Sequence, residues 1–213
     1  MIKAVLWDFG GVITSSPFEA FNRFEAEHGI PLDFIRRINA TNSRSNAWAR
    51  FESSRITLEE FDTEFEEETR AAGHPIPGLK VLELLSGEIR PRMVDALKTC
   101  KRHFLLACIT NNMRSGEEPA MARTEEKAAR LQEIMAMFDV VVESSKEGVR
   151  KPDPEIYRIV LERMGVSAEE TVFLDDLGIN LKPAKALGMK TIKVIDEHQA
   201  LEELTFHTGL SFS

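Results

Sequence analysis

Five short apolar runs, at 4–7, 104–109, 140–142, 172–174 and 191–195, constrain this chain more than any other feature. Most lack an alternating polar face, so they read as strands buried on both sides. Helical patterns accompany the last four, and such alternation implies crossover units and a parallel sheet covered on both faces. The segment 153–164 shows how explicit the helix signals are: Asp153 stands at the N-cap, Pro154 at the first helical position and Gly165 at the exit. The expected fold class is α/β, a doubly wound parallel sheet of Rossmann-like type.

Almost a hundred residues separate the first run from the second, far more than a crossover needs. That stretch must hold structure of its own. Phe18, Phe21 and Phe24 recur at threes, Ile35 and Ile38 follow, Leu58, Phe61 and Phe65 mark a third face, and Leu79, Leu82 and Leu85 a last short helix. Thr57 with Glu60 forms a capping box. The expected division is therefore a core of 1–15 and 87–213, with 16–86 as an inserted helical bundle. The acidic run 64–68 reads as a solvated face of that bundle. A second, charged insertion at 113–129, with Gly116 and Pro119, reads as a surface loop leading into a helix.

A length of 213 residues suits one core plus a modest insertion. The net charge of -8 argues against nucleic acid as a partner, although a local site can still bind an anion. Cys100 and Cys108 lack metal-site spacing and read as reduced core thiols. Few residues precede Trp7, too few for a secretory apolar region, and no run reaches the length of a membrane span. The expected location is the cytoplasm, as a monomer or homodimer.

In an open parallel sheet, ligands bind beyond the C-terminal ends of the strands. Four polar groups stand at such places: Asp8, then Thr110-Asn111-Asn112, then Arg150-Lys151-Pro152-Asp153-Pro154, then Asp175-Asp176. Singly, each has a local account as a cap, a turn bond or a solvated charge. Together they set three carboxylates, an ammonium and a hydroxyl on one sheet edge. Three carboxylates against one Lys require raised pKa values or a bound cation. Oxygen donors with an open face suit Mg²⁺ better than Zn²⁺. A hard cation beside a carboxylate, a Lys and backbone N–H groups is what attack on a phosphate ester needs: Asp8 would attack, and the aspartyl-phosphate would then be hydrolysed.

The ordered motifs WDFGGV, CITNN, RKPDPEIY and VFLDDLGINLKPAKALGM resemble the haloacid dehalogenase superfamily, over nearly the whole chain. Their wording is most similar to the phosphatase-like N-terminal domain of soluble epoxide hydrolases and the related domain fused to some acyl-CoA dehydrogenases. The resemblance implies that Asp8 is the nucleophile and that its other oxygen, the Gly10 carbonyl and Asp176 bind Mg²⁺. It implies that Asp175 and Asn180 orient metal-bound water, that Thr110 and the backbone around Asn111 and Gly11 hold the phosphoryl oxygens, and that Lys151 links Asp8 to the phosphate. The insertion would be the helical cap that chooses the substrate, with Arg44, Asn46, Trp48 and Arg50 as candidates to touch it. Phe9 and Phe18 would line the pocket or merely pack.

One departure matters. Phosphatases of the superfamily carry a second Asp two positions after the nucleophile as general acid and base, and here that position is Gly10. Losing such an acid costs about 10² to 10⁴ in rate, so esters with poor leaving groups should be slow. The expected substrate is a small phosphorylated metabolite or a lipid phosphate. Dehalogenases also lack the second Asp, but they work without a metal, against which the Asp175-Asp176 pair speaks. Phosphomutases depend on the missing acid. The remaining alternative is a domain that keeps the fold and cation site for binding or assembly.

Overall fold

A computed structural model of the chain describes residues 1–42, 45–52, 55–85, 87–111 and 125–212. β1 (Ala4–Trp7) is followed by five helices, α1 (Pro17–Glu27), α2 (Phe34–Ala40), α3 (Ala47–Glu52), α4 (Leu58–Ala71) and α5 (Gly78–Leu84). The chain continues through α6 (Pro91–Lys101), β2 (Leu105–Thr110), α7 (Glu125–Met135), β3 (Val140–Glu143), α8 (Ser144–Glu147) and α9 (Pro154–Met164). It ends with β4 (Thr171–Asp175), α10 (Gly178–Ala186), β5 (Lys190–Lys193) and α11 (Glu197–Thr208).

The strands form one parallel sheet in the order β3-β2-β1-β4-β5. The doubly wound α/β class expected from the apolar runs is what the chain adopts. β1 lies between β2 and β4 and all four of its side chains are buried, which accounts for its uninterrupted AVLW sequence. Trp7 pairs with Cys108 on one side and Leu174 on the other, so Asp8, Thr110 and Asp175 gather at the C-terminal edge. The chain winds outward through β2 and β3 and then returns to the other side of β1. That reversal puts the ends of β1 and β4 at the topological switch point, where such sheets bind ligands.

Strand ends differ from expectation by one or two residues. The fourth and fifth strands begin one residue early, at Thr171 and Lys190, and Ile195 lies beyond β5 and is largely exposed. α9 has the expected capping: the Asp153 carboxylate accepts from Glu155 N–H, Pro154 starts the helix and Gly165 leaves it at φ +65°. Both cysteines are buried thiols; burial pushes Cys100 up to about 12 and raises Cys108 further, which disfavours the thiolate.

The chain divides into two compact units. The first holds the sheet, and the second is centred on Ser16–Gly87. The second has its own core, in which Phe21, Phe34, Phe61 and Phe65 are almost completely buried. Phe51 stacks on Phe61 at 4.5 Å between ring centres. The Thr57–Glu60 capping box is present at the start of α4. Two apolar positions expected inside are not: Leu58 and Leu79 are exposed, because each stands at the first turn of its helix while the buried faces run through Phe61 and Phe65 and through Val81 and Leu82. Nor is 64–68 simply a solvated face. Glu64 pairs with Arg50, Glu66 with Arg70, and Glu68 accepts from Ala47 N–H at 2.9 Å, because α4 turns these acids toward α3 and along itself. The loop expected at 113–129 falls mostly outside the described residues. No helix among those residues is long and apolar enough to cross a membrane.

Candidate active site

The site is built on the edge of the first unit. Asp8 follows β1 and is 8% exposed; Asp175 ends β4 and is fully buried; Lys151, in the turn before α9, is 2% exposed. The Lys151 Nζ lies 2.8 Å from Asp8 Oδ1 and 2.8 Å from Asp175 Oδ2, so one ammonium bridges the two strand ends. The Lys151 backbone is itself held: its N–H donates to Asn111 Oδ1 at 3.0 Å, and Asn111 Nδ2 donates to its carbonyl at 3.1 Å. The Asn111 side chain therefore fixes the turn that presents Lys151.

Asp175 has little capacity left. Leu177 N–H donates to Oδ1 at 2.8 Å, and Asn180 Nδ2 reaches both oxygens, at 3.0 and 3.1 Å. Asn180 is anchored in turn because its carbonyl accepts from the buried Tyr157 hydroxyl at 2.7 Å. Asp176 is more exposed than its neighbour. Its carboxylate lies against Gly11, where an added Cβ would sit 2.3 Å from Oδ2, and Gly11 has φ +80°. Only glycine satisfies both conditions. At Gly10, by contrast, an added Cβ meets nothing within 4 Å.

Charge in this cluster is unbalanced. Asp8, Asp175 and Asp176 offer oxygens within 4.8 Å of one another, and Lys151 is the ammonium that Asp8 and Asp175 share. Burial drives the Asp8 pKa well above the usual carboxylate range; Lys151 opposes this, and Asp175 and Asp176 add to it. Burial works against the Lys151 ammonium, but Asp8 and Asp175 outweigh it and raise its pKa. A buried carboxylate group of this kind is stable when a further cation joins it. The donors are all oxygen, which fits a hard divalent ion.

Unused donors stand at the ends of the same strands. Among the described residues, the N–H groups of Gly10, Gly11 and Val12 meet no acceptor, whereas Phe9 N–H donates to Asp8 Oδ1 at 2.7 Å. Successive free N–H groups around a positive-φ glycine make a concavity suited to an anion. The Thr110 hydroxyl, on a residue only 7% exposed, likewise has no partner among the described residues.

The structure thus brings together Asp8, Gly10, Gly11, Thr110, Asn111, Lys151, Asp175, Asp176 and Asn180 in one unit. The substrate candidates of the insertion are engaged in their own unit. Trp48 packs edge-on to Phe61 at 6.0 Å, Arg50 donates to Glu64 at 2.6 Å, and Asn46 is buried and donates to the Ile38, Asn39 and Thr41 carbonyls. Arg44 lies outside the described residues. Phe9 is buried in the first unit, and Phe18 lies edge-on to Phe21 at 6.0 Å and beneath the Arg36 guanidinium. Sequence reasoning missed Tyr157, although it lies within a quoted motif, and Arg90, whose Nη1 donates to the Gly11 carbonyl at 3.1 Å.

A family model described as haloacid dehalogenase-like hydrolase matches residues 2–188. Mouse acyl-CoA dehydrogenase family member 10 is 34% identical over 208 residues, which are 95% of this chain and 19% of that protein. Mouse bifunctional epoxide hydrolase 2 is 29% identical over 223 residues, 99% of this chain and 40% of that protein. The chain therefore spans less than half the length of these relatives. The phosphorylated carbohydrates phosphatase of Thermotoga maritima is 30% identical over 199 residues, 90% of this chain and 84% of the relative. In fold, the chain is similar to a HAD family enzyme from Bacteroides thetaiotaomicron solved with magnesium and inorganic phosphate, with a TM-score of 0.59, 20% identity and 92% and 97% of the two chains covered. The family model spans most of the chain, and a relative of similar length aligns nearly end to end with it: this chain belongs to the haloacid dehalogenase-like hydrolases.

Proposed function

We propose that the chain is a Mg²⁺-dependent phosphohydrolase that uses Asp8 as nucleophile on a small phosphorylated substrate. The observation that carries this reading is the buried Lys151 ammonium shared by Asp8 and Asp175, with Asp176 beside them. The cluster keeps an attacking carboxylate, a fixed positive charge and unused N–H donors within one small space. In this reading 1–15 and 87–213 are the catalytic core, and 16–86 selects the substrate.

Asp8 would use one oxygen to attack phosphorus while the ester oxygen departs, forming an aspartyl-phosphate that water then hydrolyses to orthophosphate. Lys151, the Thr110 hydroxyl and the N–H groups of Gly11 and its neighbours would hold the phosphoryl oxygens. Mg²⁺ would be held by Asp8, the Gly10 carbonyl and Asp176, and when bound it offsets negative charge on the phosphoryl group. Asp175 and Asn180, whose side chains bond each other, would orient water on that metal. Gly10 supplies no proton to the leaving group, so acyl or anomeric phosphates and other esters with good leaving groups should turn over faster than alkyl phosphates. The relative named for phosphorylated carbohydrates, similar over most of both chains, supports a phosphate ester as substrate.

The test is hydrolysis of p-nitrophenyl phosphate with and without Mg²⁺, in the wild type and in Asp176→Ala. Nitrophenolate leaves without an acid, so the assay isolates nucleophile and metal from Gly10. Turnover that needs Mg²⁺ and is lost in Asp176→Ala supports the assignment. An unchanged Mg²⁺ titration in the variant would move the metal elsewhere, and no turnover in the wild type with Mg²⁺ still bound would favour a binding or assembly role.

A further inference from the structure

The loop that carries the free N–H groups of Gly10, Gly11 and Val12 is held by a residue remote in sequence. Ile13 and Thr14 N–H both donate to the Phe9 carbonyl, at 2.9 and 3.2 Å, and close the loop on itself. The segment 88–90 then runs antiparallel to 13–15. Ser15 N–H donates to the Glu88 carbonyl at 2.7 Å, Glu88 N–H to Ser15 Oγ at 2.9 Å, and Thr14 bridges to Ile89. Arg90 completes the lacing twice: its N–H donates to the Ile13 carbonyl at 2.9 Å and its Nη1 to the Gly11 carbonyl at 3.1 Å.

Gly11 is therefore pinned by the Arg90 guanidinium at its carbonyl and confined by the Asp176 carboxylate at its Cα. A peptide unit is planar and trans, so a donor that fixes the Gly11 carbonyl also fixes the opposite direction of the Val12 N–H. The donor is charged, which strengthens the bond over a neutral one. Nothing local to the loop does this, since the bonds it makes to itself use the Phe9 carbonyl and leave that of Gly11 to Arg90.

We propose that Arg90 is a positioning residue for the anion-binding loop, orienting the Gly11–Val12 peptide so that the Val12 N–H meets a phosphate. The proposal rests on the phosphohydrolase reading above. It is tested by titrating orthophosphate, with Mg²⁺ present, into the full chain as wild type, Arg90→Ala and Arg90→Lys. Affinity is read by calorimetry, the Gly11 and Val12 amides by NMR, and folding by thermal unfolding of the same samples. Arg90→Ala should bind orthophosphate roughly ten- to a hundredfold more weakly while still unfolding cooperatively. Arg90→Lys, which retains a charged donor, should recover part of the loss. If Arg90→Ala does not fold, Arg90→Met, which keeps the apolar stem and lacks the donor, takes its place under the same criterion. A folded variant without the donor that binds as tightly as wild type, with an unshifted Val12 amide, overturns the proposal and leaves the phosphohydrolase reading standing. A wild type that binds no orthophosphate overturns both.

Discussion

Each unit of the molecule buries acid, and the two do so in opposite ways. At the sheet edge, Asp8 and Asp175 share Lys151, and Asp175 also receives Leu177 N–H and Asn180 Nδ2. In the helical unit, Glu25 is fully buried, with Oε1 accepting from Ile35 N–H at 2.9 Å and Oε2 meeting no partner among the described residues. The first arrangement is a network held to the backbone and to a neighbouring amide, with two carboxylates on one ammonium. The second is a single acid that supports the first turn of α2 in an otherwise apolar core. A buried acid by itself therefore says little about chemistry; a crowd of them around one ammonium, with unused donors alongside, says much more.

Removing the shared cation should separate the two regions most clearly. Lys151→Met leaves Asp8 and Asp175 buried without their partner and should cost about 3–5 kcal/mol in metal-free denaturant unfolding. A loss under about 1 kcal/mol would mean that the two acids are neutral or hydrated, and the contrast with Glu25 would collapse. Adding an acid to the crowded side comes next. Gly10→Asp has room for its Cβ, and it should speed alkyl phosphates by about 10²-fold while changing p-nitrophenyl phosphate turnover far less. Equal effects on both would show that Gly10 does not limit proton delivery. The smallest effect belongs to the helical unit: Glu25→Gln keeps the acceptor for Ile35 N–H, so stability should move by less than about 1 kcal/mol and turnover not at all. A change in turnover would tie Glu25 to the chemistry.

Much of this was legible in the sequence, for definite reasons. The apolar runs announced the sheet because parallel strands are buried on both faces, and each ran directly into the polar residue that now stands at its end, as Trp7 runs into Asp8. The caps of α9 and α4 were readable because Asp153 and Thr57 act on N–H groups two or three residues away. What escaped depends on distance along the chain. Arg90 lies 79 residues from the carbonyl it holds and Tyr157 lies 23 residues from its own partner, so no local pattern marks either. Leu58 and Leu79 misled because a periodic apolar position at the start of a helix can face solvent while the pattern continues behind it. Trp48 and Arg50 have residue types suited to a ligand, yet Phe61, Phe65 and Glu64 already engage them.

The most direct test of the central claim is to catch the phosphoryl group on Asp8. Acid quenching of the Mg²⁺-loaded protein during turnover of p-nitrophenyl phosphate, followed by peptide mass analysis, should find phosphate on the peptide that contains Asp8. Asp8→Asn should show no adduct, and its turnover should fall by at least about 10³-fold with the fold retained. Phosphate on another residue, or turnover that survives in Asp8→Asn, would contradict the account.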